Sequence, residues 1–129
     1  MKMTEEDALK AYARMMNTLD VRHVEHMLAD DFRYASQMVL EEITSRVSFL
    51  DYVGQKLEAI AASDDLVYAE MGVLGEEFGK RLCVVLAQGD REILIATVLA
   101  EARGGLITRL DVCVVPSPQS AVRTGDYPT

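Results

Sequence analysis

The chain has 129 residues, half of them hydrophobic and 26% charged, with a formal net charge of -8. That size and composition suit one soluble domain with its own core. The acidity argues against nucleic acid and anionic membranes as partners, because phosphate surfaces are met by clustered Lys and Arg.

No apolar run approaches the ~18 residues of a membrane span. The first residues, MKMTEEDALK, are acidic and amphipathic, unlike the cationic, apolar start of a secretory signal, so a cytoplasmic protein is expected. Cys83 and Cys113 match no metal spacing and read as reduced packing thiols.

Thr4 can cap a first helix, with Glu5, Glu6 and Asp7 favouring its positive dipole end. Ala8, Leu9, Tyr12, Met15, Met16 and Leu19 keep helical spacing, which predicts a helix over 4–18. Asp20 can cap a second over 20–29, burying Val21, Val24, Met27 and Leu28. After Asp30 and Asp31 a strand carries Phe32, Tyr34 and Ser36 on one face, Arg33 and Ala35 on the other. Residues 37–42 read as either a strand continuation or a loop. Thr44 or Ser45 caps a third helix over 45–62, with Phe49, Tyr52, Val53, Leu57 and Ile60 at spacings of three and four.

The period then changes. Strands are predicted over 66–74, 80–88, 92–100 and 106–115, and their short connections imply antiparallel hairpins. Helices followed by a meander make an α+β arrangement. From Pro116 the periodicity ends, so residues 1–115 read as one domain and 116–129 as a mobile tail.

A two-residue turn at Gly89-Asp90 would pair Leu82 with Thr97 and Val84 with Ile95; a tight turn in ARGG would pair Thr97 with Leu110 and Ile95 with Val112. One face would then hold Val84, Leu86, Thr97, Leu110 and Val112, the other Val85, Val98, Arg109 and Asp111. Both faces are largely apolar, and a second copy of the chain is the simplest cover for the second one. A homodimer through the sheet is therefore expected, with Arg109 and Asp111 at its seam.

The order helix, helix, strand, long helix, four strands, with the stretch YARMMNTLDVRHVEHMLADDFRYAS (Tyr12 to Ser36), resembles the nuclear-transport-factor-2-like superfamily. That superfamily includes ketosteroid isomerases and SnoaL-like polyketide cyclases, and the resemblance covers most of residues 4–115. It implies a cystatin-like α+β cone: a strongly curved antiparallel sheet with three N-terminal helices enclosing a ligand pocket. It sets Tyr12 where the isomerases place the tyrosine that donates to a developing oxyanion. Ser36 stands where their carboxylate base would be, and Thr97 near their protonated acid. Both carboxyls are absent, and a serine hydroxyl without an activating base takes no proton at neutral pH. Steroid isomerisation is not expected. The Asp–Arg–Asp set of related epoxide hydrolases is not matched either, since Arg109 and Asp111 fall on the outer face and VYAEMGVL lacks an Arg-x-Asp.

Tyr12 is thus a candidate hydrogen-bond donor in a pocket, or else a core aromatic with its hydroxyl at the edge. Met16, Phe32, Tyr34, Ser36, Thr97, Leu110 and Val112 would line the cavity. Glu70, if inward, is the candidate general acid or base; otherwise its strand face is solvated. His23 and His26 flank Glu25, but nothing completes a tetrahedral metal site, so they read as a solvated helix face. No motif implies a metal or cofactor. Two functions remain open: a SnoaL-like isomerase, cyclase or dehydratase acting next to a carbonyl on a small apolar or aromatic ligand, and a non-catalytic binding or dimeric assembly module of the same fold.

Overall fold

The computed structural model describes residues 2–39 and 42–129. Leu40 and Glu41, within the stretch read as strand or loop, lie outside the described residues, as does Met1.

Helix α1 spans Glu5–Thr18. It opens on a reciprocal cap, with the Asp7 N–H donating to Thr4 Oγ1 at 3.1 Å and the Thr4 N–H to Asp7 Oδ2 at 3.0 Å. It closes at Leu19 in the left-handed region, φ 55°, whose N–H reaches the Met15 carbonyl. The second helix expected over 20–29 reduces to a single 3-10 turn, Val21–His23. Asp20 does cap it, accepting the Arg22 N–H at 3.0 Å. The sheet claims the residues after this turn, since the Ile107 N–H donates to the Met27 carbonyl at 2.7 Å and strand β1 already begins at Leu28 (Leu28–Ser36). Among the described residues there are therefore two α-helices where three were expected. The second, α2 (Arg46–Ala62), is capped by Ser45 and buries Phe49, Val53, Leu57 and Ile60.

Strands β2 (Val67–Leu74), β3 (Leu82–Gln88), β4 (Leu94–Arg103), β5 (Leu106–Cys113) and β6 (Ala121–Arg123) complete a six-stranded sheet in the order β1-β5-β4-β3-β2-β6. It is mixed, not purely antiparallel: β1 runs parallel to β5, the chain between them crossing over through α2 and the meander.

The register differs from the hairpin arithmetic at one strand. Gly89–Glu92 form a four-residue connection, with the Gln88 N–H donating to the Ile93 carbonyl. Lengthening a turn by two residues keeps the faces as they were. An irregularity at Leu86/Ala87 then shifts β4 by one, giving Val84 opposite Val98 and Val85 opposite Thr97. A second irregularity, at Glu101/Ala102, shifts the pairing back, so that Val98 meets Val112 and Ala100 meets Leu110. A one-residue shift turns every side chain over. Bracketed by two bulges, β4 alone presents the opposite face: Ala96, Val98 and Ala100 lie inside, Thr97 and Leu99 outside.

The inner face packs on both helices in one core containing Leu9, Met16, Phe32, Phe49, Val84, Val98 and Leu110. The outer face is covered in part by the chain itself. Residues 116–129, read from the sequence as a tail beyond the domain, leave β5, cross the outer face, and add β6 to the free edge of β2. Ala121 packs there on Leu74, Cys83 and Val85. The cover sought in a second copy is, over β2 to β4, this segment.

Candidate functional site

The inner residues predicted for a ligand cavity come together, but as packed side chains. Tyr12 and Met16 point from α1 into the space under α2, and Phe32, Tyr34, Leu110 and Val112 rise from the sheet; all six are buried, along with Ser36. Phe49 and Tyr52 of α2 close on them. The Phe32 and Phe49 rings lie 4.8 Å apart, Tyr34 and Phe49 5.1 Å, and Tyr34 and Tyr52 5.5 Å, all tilted. Phe49 and Tyr52 were legible only as a helix face, since i, i+3 spacing does not say which space a face fills.

Burial raises the phenol of Tyr12 well above its usual range, with neighbouring Tyr52 adding to the effect. Burial likewise raises Tyr34, with Tyr12 and Tyr52 beside it. Tyr12 and Tyr34 are thus held neutral, as donors. The Ser36 hydroxyl accepts the Met38 N–H at 3.2 Å. A cluster of neutral hydroxyls can donate to a carbonyl oxygen but cannot remove a proton from carbon at neutral pH.

Thr97 does not join them. On the outer face of β4 it is fully buried, and its hydroxyl donates to the Pro116 carbonyl at 2.9 Å. Glu70 is buried too, yet also on the outer face, opposite Val85. The sequence expectation that an inward Glu70 supplies acid–base chemistry is corrected by its partners. Arg123 Nε donates to Glu70 Oε1 at 2.7 Å, the Gly125 N–H to Oε2 at 2.8 Å, and the Tyr127 hydroxyl to Oε1 at 3.3 Å. The Arg123 guanidinium spans two carboxylates, meeting Glu92 Oε2 at 2.6 Å, and these bonds (Glu92 first, then Glu70) raise its already high pKa. Arg91 stacks 4.3 Å over the Tyr127 ring. Glu70 is a latch for the C-terminal segment.

Asn17, at the end of α1, fastens the same segment from the other side. Its amide donates to the Ala69 and Pro128 carbonyls at 2.8 and 2.7 Å and accepts the Ala69 N–H at 2.8 Å. The Met71 N–H donates to the Asp126 carbonyl at 2.8 Å, so the edge of β2 is paired. Gly72 makes room for the crossing, since a Cβ there would lie 3.0 Å from Val85 and 3.3 Å from the Val122 carbonyl. Sequence reasoning missed Asn17, Arg123 and Tyr127; the signal available was Arg123 ahead of Gly125, whose φ of 79° makes the turn.

Arg109 chelates Asp111 with two bonds of 2.9 Å and reaches Glu42 at 2.7 Å, which raises its pKa further. His26 lies 3.5 Å from Glu25. Among the described residues no group of three His, Cys, Asp or Glu is placed to hold a metal, and no helix is long and apolar enough to cross a membrane. Three surface clefts, of about 420, 480 and 200 Å³, are lined by none of the inner residues above.

A two-helix α+β domain with a six-stranded mixed sheet and aromatic residues between the layers defines a class of fold that the solved structures identify. An NTF2-like protein of unknown function from Cytophaga hutchinsonii matches 92% of this chain over 96% of its own, with TM-score 0.61 and 16% identity. A proposed polyketide cyclase from Sinorhizobium meliloti matches 86% over 100%, with TM-score 0.56 and 13% identity. A proposed ketosteroid isomerase from Kribbella flavida matches 84% over 78%, with TM-score 0.53 and 18% identity. At these identities the likeness is one of fold: the chain has the NTF2-like, cystatin-like fold that SnoaL-like and ketosteroid-isomerase-like proteins share. No protein-family model matches the chain, and no curated protein does.

Proposed function

We propose that this chain is a non-catalytic binding module of the NTF2-like fold, whose inner aromatic cluster receives small apolar ligands without acting on them. One observation carries this reading. Glu70 is the only buried carboxylate among the described residues, and it sits on the outer face, bound to Arg123. The inner side offers Tyr12, Tyr34 and Ser36, which can orient a carbonyl but include no base. A thermal-shift screen against cyclic ketones, phenols and polyketide-like aromatics tests it. A ligand held at a hundred times its Kd stabilises by about 2.7 kcal/mol. A hit that weakens in Tyr12→Phe, with no product by mass spectrometry, is the expected result; turnover would overturn the reading.

The second reading, a SnoaL-like isomerase, cyclase or dehydratase acting next to a carbonyl, is favoured by the buried Tyr12 and Tyr34 pair and by the names of the structural neighbours. Tyr12 would then hold the oxyanion, and its replacement by Phe should cost about a hundredfold or more in kcat.

A homodimer through the sheet is proposed only for the part the C-terminal segment leaves open, around Ala35, Arg109 and Asp111. Val98→Asp, an outer-face probe under the predicted register, strikes the inner core, where Val98 is fully buried. Ala35→Arg is the better probe. It should give a monomer by light scattering, and an unchanged dimer would remove the claim.

A further inference from the structure

We propose a second binding site, outside the tyrosine cluster, on the solvent side of α1, for a small amphipathic carboxylate. In a chain this acidic, cations are expected to find carboxylates, and most do: among the described residues eight of the 13 Lys and Arg side chains form ion pairs. Lys56 and Arg91 lie over tyrosine rings instead. Among the described residues this leaves Lys2, Arg14 and Arg103 with neither kind of partner. Two of those three, Lys2 and Arg14, line the same cleft of about 420 Å³, joined by Lys10.

The cleft is built for more than charge. Met3, Ala11 and Met27 supply apolar walls, and Gly105, in the β4–β5 turn, also lines it. Asp7 is its one lining anion; its carboxylate is held in place by the Thr4 N–H at 3.0 Å, and its single charge is outnumbered by the three cations Lys2, Lys10 and Arg14. Lys10 reaches Glu6 at 3.1 Å, which leaves ammonium protons for a further acceptor. Cations around an apolar floor, in a volume within the few hundred Å³ usual for small-ligand sites, match a carboxylate head on a short hydrocarbon or aromatic body. Methionines make that floor adaptable to the shape of the body. Tyr12, Tyr34 and Ser36 take no part, so this site stands or falls independently of the function proposed for the interior.

The test is calorimetric titration of the full chain with octanoate, octanol and acetate at low and high salt. Octanoate should saturate at one site per chain and weaken in high salt, since the cations are near the surface. Octanol and acetate, each lacking one half of the match, should bind far more weakly. Replacing Lys2 and Arg14 together by Gln should weaken octanoate by about tenfold or more, the effect of losing a charge-assisted hydrogen bond. Lys80→Gln, a cation outside the cleft, should leave it unchanged. Octanol binding as tightly as octanoate, full affinity in the double variant, or no saturable octanoate binding would each overturn the proposal.

Discussion

On the inner side of the sheet the buried polar groups are neutral hydroxyls among aromatic rings, Tyr12, Tyr34 and Ser36. On the outer face they are Glu70 and Thr97, and each is answered by the C-terminal segment, Glu70 by Arg123, Gly125 and Tyr127, Thr97 by the Pro116 carbonyl. The inner side is closed by shape and the outer face by hydrogen bonds. A buried carboxylate is costly unless it is paired. Its position therefore reports where the fold supplies a cation, and here the cation comes from the last strand. The difference separates structural from chemical burial: the residue that looked most like a general base holds the chain's own end in place.

The two faces should respond differently to substitution. Phe49→Ala removes the ring that touches both Phe32 and Tyr34, and should cost about 3–5 kcal/mol in urea unfolding. A cost near zero would show an interior already open. Arg123→Ala leaves Glu70 buried opposite only an N–H and a phenol, and should lower the urea midpoint by less than Phe49→Ala does. Amide exchange at Met71 and Gly125 should quicken in this variant while α1 stays protected; uniform quickening would deny the segment its local role. Thr97→Val removes one neutral hydrogen bond and should cost about 1 kcal/mol. A loss of several kcal/mol there would mean Thr97 faces a polar interior after all.

Much of this was legible in the sequence and some was not, for physical reasons. The Thr4 and Ser45 caps, both α-helices and the four meander strands are set by local spacing. The face of β4 is not, because each bulge depends on how neighbouring strands settle, and one residue of slip moved Thr97 outside and Val98 inside. The turn at 21–23 lost its helix to the pairing of Met27 with Ile107, a contact between residues distant in the chain. Glu70 was ambiguous because alternation within β2 gives two faces without naming them, and its partner Arg123 lies in a stretch with no periodicity at all.

The central claim is that the C-terminal segment, held by Glu70, covers the outer face, and Cys83 beneath it is the natural reporter. Burial pushes the Cys83 thiol up to about 11, so at about pH 8 it is both covered and protonated. In full-length protein carrying Cys113→Ser, the rate of alkylation by iodoacetamide should be very low, and Arg123→Ala should raise it many-fold without global unfolding. Rapid alkylation of Cys83 before Arg123 is changed, or a rate indifferent to that change, would contradict the account.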